Sequence, residues 1–212
     1  VVEEILPGTK TAILSGPNFA GEIAQGKPAA TTLACSDEKL AEQLQSVIAS
    51  KYFRPYVTTD IIGTQIAGAI KNVIAIACGI AKGLEMGESA RASLVTRGLA
   101  ELTRLGVAMG ANPETFLGQC GVGDMMLTCS SEKSRNFSLG LALGHSEPLS
   151  TILEGRNCVS EGVHTAKTCA ALAKKHACDM PICTNIHACV TGQSSISDAL
   201  KIVLNRPLRS EC

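Results

Sequence analysis

The stretch IIGTQIAGAIKNVIAIACGIA, residues 61–81, decides the architecture of this chain. Lys71 is its one charge, with Gln65 and Asn72 among residues that are otherwise almost all apolar or small. A helix that is apolar on every side is either the centre of a helical domain or a membrane span. A Lys at mid-bilayer costs about 2.5–3.5 kcal/mol on insertion scales, and Ala and Gly offset little of it. The run is therefore read as the central helix of a helical domain, with no membrane span.

On the N-terminal side of this helix the segments are short and mixed. Residues 10–15 form a strand-like run ending in Gly16-Pro17, and residues 18–25 read as a short helix closed by Gly26. AATTLAC (29–35) is a second strand, SDEK (36–39) opens a helix over 40–48, and 52–58 is a third strand. Alternating strands and helices point to part of an α/β sheet. The piece is too short for a stable open sheet alone, and no strand–GxGxxG–helix opening is present.

On the other side only helical periodicity follows, over about 62–82, 89–110, 113–119, 135–143, 149–154, 160–176, 181–190 and 195–204. Pro113 and Pro181 suit first helical turns, Gly192 closes the helix before it, and Ser194 or Ser195 can cap the last. The predicted fold class is mainly α, with an α/β segment over residues 1–60 and an all-helical domain over 61–212.

Composition removes several function classes. With 45% hydrophobic and 18% charged residues, the chain of 212 has enough apolar content to order itself. Lys+Arg 19 against Asp+Glu 19 leaves no basic field for a nucleic-acid backbone, and 3% aromatics without Trp leave few stacking platforms. Ten cysteines include no CxxC pair, and the opening VVEEILPGTK has no signal-peptide pattern. The thiols are read as small buried hydrophobes in a reducing cytoplasm. The absence of an initiator Met raises the expectation of a fragment or a processed product.

Two places carry chemistry. Lys71 sits in an apolar run, where desolvation favours loss of its proton and exchange with a substrate; Asn72 adds a second fixed hydrogen-bonding group, and a snorkelling Lys is the bland alternative. The second is GQCGVGD (118–124) followed by TCSSEKSRN (128–136). Glycines allow close backbone approach, and Ser134, Arg135 and Asn136 stand where a helix begins, an outline of a phosphate site. Ordinary capping by Ser134 with a solvated Arg135 is the competing reading. Elsewhere Arg97 and Glu101 suggest an i,i+4 ion pair, and Glu161 a helix cap. His176, Cys178, Cys183, His187 and Cys189 match no zinc spacing, so no metal is expected; Cys183 and His187 can equally share one buried helix face. His145 and His164 have no Ser or Cys partner identifiable by sequence.

Taken together, SGPNFAGEIA (15–24), AGAIKNVIAIACGIAKGL (67–84), TRGLAELTRLGVAMGANPETF (96–116), GVGDMMLTCSSEKSRNFSLG (121–140) and VSEGVHT (159–165) resemble the bacterial-type glycerol-3-phosphate dehydrogenase family. The resemblance implies a partial Rossmann-like segment joined to a helical substrate domain. It implies reduction of dihydroxyacetone phosphate to sn-glycerol 3-phosphate with NAD or NADP as cofactor, for phospholipid synthesis in the cytoplasm, with a homodimer left open. It places the catalytic Lys at Lys71 and substrate contacts at Gly16, Asn18, Lys71, Asp124, Ser134, Arg135 and Asn136. Asn18 stands where the family has Ser or Thr. Cofactor contacts fall at Ala20, Arg135, Val159 and Glu161. The family's glycine-rich opening is not in this sequence, so the chain by itself is expected to be weakly active or inactive. A non-catalytic phosphate-binding or dimerisation module, or the substrate domain of a related hydroxyacid dehydrogenase, are the rival readings.

Overall fold

The first sixty residues carry β-branched runs on either side of one amphipathic helix, and they fold as a strand–helix–strand unit. The structure, a computed structural model, describes residues 2–154, 161–205, 207 and 210. Two compact units account for them: residues 1–68 with 106–127, and residues 69–105 with 128–212. In this grouping residues 61–68, the start of the long apolar helix, and residues 106–127 join the N-terminal stretch.

In the first unit, α1 (Val2–Ile5) precedes β1 (Ile13–Ser15), α2 (Ala20–Ala24), β2 (Ala29–Ala34), α3 (Glu38–Ile48) and β3 (Phe53–Thr58). The sheet order is β1-β2-β3. β2 and β3 run parallel, with Ala29 opposite Phe53 and Ala34 opposite Thr58, and β1 lies antiparallel to β2 with Ile13 opposite Ala34. A parallel pair needs a crossover, and α3 supplies it. Asp37 caps α3 by accepting from the Leu40 N–H at 3.1 Å, as the SDEK signal predicts. Gln45 of α3 donates to the Pro55 carbonyl at 2.8 Å, tying the crossover to β3.

Residues 106–127 are stitched to this sheet by two polar hubs. Asp60 accepts from the Gly63 N–H at 2.8 Å through one oxygen. Through the other it accepts from the Asn112 N–H at 2.9 Å and the Thr115 hydroxyl at 2.6 Å. Asn112 in turn caps the 3₁₀ turn Pro113–Leu117, as the Asn-Pro signal implies. Thr32 of β2 accepts from the Cys120 N–H at 3.1 Å. The glycine-rich segment 118–124, expected as a ligand loop, is instead a π-helical turn over Gln119–Gly123 leading straight into α6 (Asp124–Ser130). Its backbone is occupied with helical and Thr32 bonds, which is why it does not loop out.

The second unit is helical. α4 (Ile61–Gly83) buries every residue from Val73 to Ala81. Among the described residues it alone is long and apolar enough to cross a membrane, with mean hydropathy 1.6, yet 61% of that window is buried within the protein. The others are α5 (Glu88–Ala108), α7 (Arg135–Gly144), α8 (Leu149–Glu154), α9 (Glu161–Lys175), α10 (Pro181–Val190) and α11 (Ile196–Leu204). Pro181 occupies the first turn of α10, and Ser195 caps α11 by accepting from the Asp198 N–H at 3.1 Å.

Four glycines let α4 and α7 cross backbone to backbone. A Cβ on Gly79 would lie 2.1 Å from the Phe137 carbonyl oxygen, and one on Gly140 would lie 2.1 Å from that of Ile76. One turn on, Gly83 and Gly144 face each other at 2.8 Å by the same measure. Glycine costs about 1 kcal/mol in each helix relative to Ala, and the close crossing is what offsets that cost.

The Arg97–Glu101 ion pair expected from i,i+4 spacing is not how Glu101 is used. Its carboxylate is 2% exposed and accepts the Ile182 N–H at 2.7 Å and the Cys183 N–H at 3.1 Å. Those N–H groups belong to the first turn of α10, which has no intrahelical partner for them. Burial pushes the Glu101 carboxyl above its ordinary range, against the two backbone N–H bonds and Arg104, which pull it down. Arg104, one turn further along α5, donates to the Asp179 carbonyl and holds the entry to α10. Among the described thiols, Cys35, Cys78, Cys120, Cys129, Cys169 and Cys183 are buried and Cys178 and Cys189 are half-buried, in keeping with their reading as core hydrophobes. Beside Cys169, and with Glu101 close by, the buried Cys183 thiol is held well above its ordinary range.

Gly140→Ala is expected to destabilise the protein by about 1–3 kcal/mol, since the obstructing atom is backbone and cannot swing aside. Gly21→Ala, with nothing near its Cβ position, is the control expected to be neutral or slightly stabilising. Urea melts of the two variants check this. Glu101 gives a pH test with a definite sign. Because its folded pKa is raised, its contribution is fullest below the ordinary value of 4.5 and is lost as pH rises through the folded pKa. The stability of the parent relative to Glu101→Gln should therefore fall as pH rises above 4.5, and a flat difference would contradict the burial argument.

Candidate functional site

The helical crossing places the start of α7 against α4, and the site is built from there. Ser134 caps α7, its hydroxyl accepting from the Phe137 N–H at 3.3 Å, so the helix opens at Arg135. The sequence reading put Ser134, Arg135 and Asn136 at this helix start. A helix start carries unpaired N–H groups and the positive end of the dipole, which favour an anion. Phe137 is fully buried, with the Lys82 ammonium and the Arg91 guanidinium each 5.9 Å from its ring centre. Both cations are paired with carboxylates, Lys82 with Glu132 and Arg91 with Glu88.

A second helix start meets the first. Arg135 Nη2 pairs with Glu161 Oε1, where Glu161 is the first residue of α9. Next to it, the Gly162 N–H donates to Asn136 Oδ1 at 3.0 Å. Asn136 is 4% exposed, and this bond fixes its amide orientation: Oδ1 takes the backbone N–H, leaving Nδ2 as the donating end. A Cβ on Gly162 would lie 2.8 Å from Asn136 Oδ1, 2.8 Å from Ile76 Cδ1 and 2.9 Å from the Asn72 carbonyl oxygen. Three helices therefore converge at Gly162, and only a residue without a side chain fits there.

Asn72 directly follows Lys71, and both are half-buried on α4 immediately before its fully buried stretch. Glu161, expected as a helix cap, is the first residue of α9, and its carboxylate is engaged by Arg135.

The remaining sequence candidates lie in the first unit. Gly16 directly follows β1 and is buried; a Cβ there would sit 2.9 Å from Thr31 Cα and 3.1 Å from Asn18 Nδ2. Asn18 is half-buried, and its Oδ1 is inaccessible to water and has no hydrogen-bond donor. Ala20 is exposed at the start of α2. Asp124 is 2% exposed at the start of α6. Val159 lies outside the described residues.

The structure thus brings Gly16 together with Asn18, and Arg135 together with Glu161 and Asn136. Gly162 was not singled out from the sequence, although a glycine directly after an acidic helix start was a signal of close approach. Thr128, 8% exposed, is a further buried polar residue that the sequence reading passed over. Among the described residues no group of three or more His, Cys, Asp or Glu side chains is placed to hold a metal.

Comparison with known proteins gives these residues a family. Residues 60–201 match the family model for the C-terminus of NAD-dependent glycerol-3-phosphate dehydrogenase, and residues 1–41 match that for its N-terminus. The chain is 54% identical, over its whole length, to glycerol-3-phosphate dehydrogenase (NAD(P)+) of Parvibaculum lavamentivorans, and covers 63% of that protein. It is 52% identical to the enzyme of the same name from Rhodospirillum rubrum, again over its whole length, and covers 60% of it. Among solved structures, glycerol-3-phosphate dehydrogenase from Coxiella burnetii superposes with a TM-score of 0.92 at 36% identity, over 97% of this chain and 63% of that one. The chain thus spans a little under two thirds of the length of the relatives it matches. Its helical domain and the α/β segment before it belong to the NAD-dependent glycerol-3-phosphate dehydrogenase family.

Proposed function

We propose that this chain carries the phosphate-recognising and proton-transferring part of an enzyme that reduces dihydroxyacetone phosphate to sn-glycerol 3-phosphate with NADH or NADPH. The observation that carries the reading is the paired helix starts, where Ser134, Arg135 and Asn136 meet Glu161 and Gly162 beside α4. A dianionic phosphate is the ligand such a site suits. Arg135 offers a planar fork of donors, Asn136 an oriented amide, and α7 its positive end.

Each candidate has a role of its own in that reading. Phosphate held at Arg135 uses remote binding energy to position the carbonyl for Lys71. Lys71 donates a proton or a hydrogen bond to the oxygen as negative charge develops there, and takes the proton back in the reverse direction. Asp124, a buried acid at the start of α6, would engage a substrate hydroxyl. Gly16 offers backbone without a side chain in the way. The Oδ1 of Asn18 is buried without a donor, which costs about 1–3 kcal/mol, and the amide would have to turn outward to meet a substrate hydroxyl.

The residues present suit part of a dinucleotide. Glu161 fits a ribose hydroxyl, Arg135 a phosphate, and Ala20 an apolar contact. When bound, the nicotinamide supplies the hydride. The glycine-rich turn that cradles a pyrophosphate is not among these 212 residues, so turnover by this chain alone is expected to be weak or absent. A role in supplying phospholipid backbone in the cytoplasm extends the same reading.

Calorimetric titration of the chain with dihydroxyacetone phosphate tests the anchor. Saturable binding that is lost in Arg135→Ala is expected; binding that Arg135→Ala leaves intact would place the phosphate elsewhere. In a form extended to family length, Lys71→Met should lower kcat by about 10²–10⁴-fold while substrate binding persists. Unchanged kcat would remove Lys71 from the proton-transfer role.

A further inference from the structure

Arg135 and Glu161 are both given ligand contacts in the reading above, yet in this structure they are bonded to each other. We propose that this ion pair is a latch: a phosphate ligand must draw the guanidinium away from Glu161, and the released carboxylate is then free to take a nucleotide hydroxyl. The inference rests on the phosphate-site reading and concerns how that site is regulated.

Three features of the structure support it. First, the pair is of a strength that a ligand can overcome. The side chains are 53% and 46% exposed, and an ion pair so solvated is worth a factor of about two to five in an equilibrium constant. A phosphate competes for the same guanidinium fork with more charge and more acceptor oxygens.

Second, the backbone cannot open the pair. Asn136 holds the Gly162 N–H at 3.0 Å, and Gly162 is wedged within van der Waals reach of Ile76 and the Asn72 carbonyl. The two helix starts are therefore fixed at the residues adjoining Arg135 and Glu161. Exchange of partners has to occur by side-chain rotation alone, which is fast and needs no helix movement.

Third, the carboxylate has somewhere to go. Glu161 is in the first turn of α9, where the helix dipole stabilises a negative charge after Arg135 has left. Each ligand removes a competitor of the other, so anion and nucleotide bind with positive coupling, and the coupling is reciprocal.

The test is titration of the chain with inorganic phosphate, comparing the parent with Glu161→Gln and Arg135→Ala by calorimetry. Glutamine keeps the size and hydrogen-bonding ability of the side chain but removes the competing charge. Under the latch, Glu161→Gln binds phosphate about two- to fivefold more tightly than the parent, and Arg135→Ala does not bind it. If Glu161 serves instead to orient Arg135 for the anion, Glu161→Gln binds more weakly, and the latch is overturned while the phosphate site stands. Equal affinity in parent and Glu161→Gln also overturns it. Phosphate binding that survives in Arg135→Ala, or no saturable binding by the parent, removes the site reading and the latch with it. Thermal melts of both variants separate a binding effect from misfolding.

Discussion

The helical unit depends on a pair of backbones brought closer than side chains permit. Where α4 crosses α7, the hydrogens of Gly79, Gly83, Gly140 and Gly144 stand where any other residue would drive a carbon into a carbonyl. The crossing fixes the start of α7 relative to the middle of α4, because Asn136 and Ile76 are each one turn ahead of a contacting glycine. Once those two helices are set, the place left for the start of α9 is a slot lined by Asn72, Ile76 and Asn136, and glycine at 162 fills it. The candidate residues Arg135, Asn136 and Glu161 are thus positioned by the packing of glycines.

Two glutamates show how burial alone separates roles. Glu101 is removed from water and spends both oxygens on the first turn of α10, so its carboxylate serves architecture and its proton affinity is raised. Glu161 also belongs to a helix start, but it is half-exposed and its partner is a solvated Arg135. One is costly to disturb because two backbone donors would be left bare; the other exchanges partners cheaply. From the sequence Glu101 read as half of an i,i+4 ion pair and Glu161 as a helix cap, with nothing to tell their burial apart.

Much of the fold was readable in local signals. The SDEK opening of α3, the prolines at 113 and 181, Ser195 and the apolar run 61–81 each act through groups within a few residues, so spacing reveals them. Residues 118–124 misled for a physical reason: glycines suit a ligand loop and a tight helical turn equally, and Thr32, far away in sequence, decides between them. The Arg97–Glu101 pair failed for the same kind of reason, since the competing donors on Ile182 and Cys183 are remote in sequence. At the site, Arg135, Asn136 and Glu161 were nameable in advance, whereas their mutual bonds and the wedge at Gly162 depend on three helices meeting. That is information spacing does not hold.

The first unit is assembled from two stretches of chain, with residues 69–105 belonging to the other unit in between. Asp60 shows what this means, because its partners Asn112 and Thr115 are over fifty positions downstream. On the ribosome, the sheet would emerge with one carboxylate oxygen facing solvent and part of its cover not yet made. It must wait while the intervening helices are translated, an interval of a few seconds at ordinary elongation speed. During that interval the nascent sheet is a natural client for a chaperone, and codon choice across residues 69–105 would set how long it stays one.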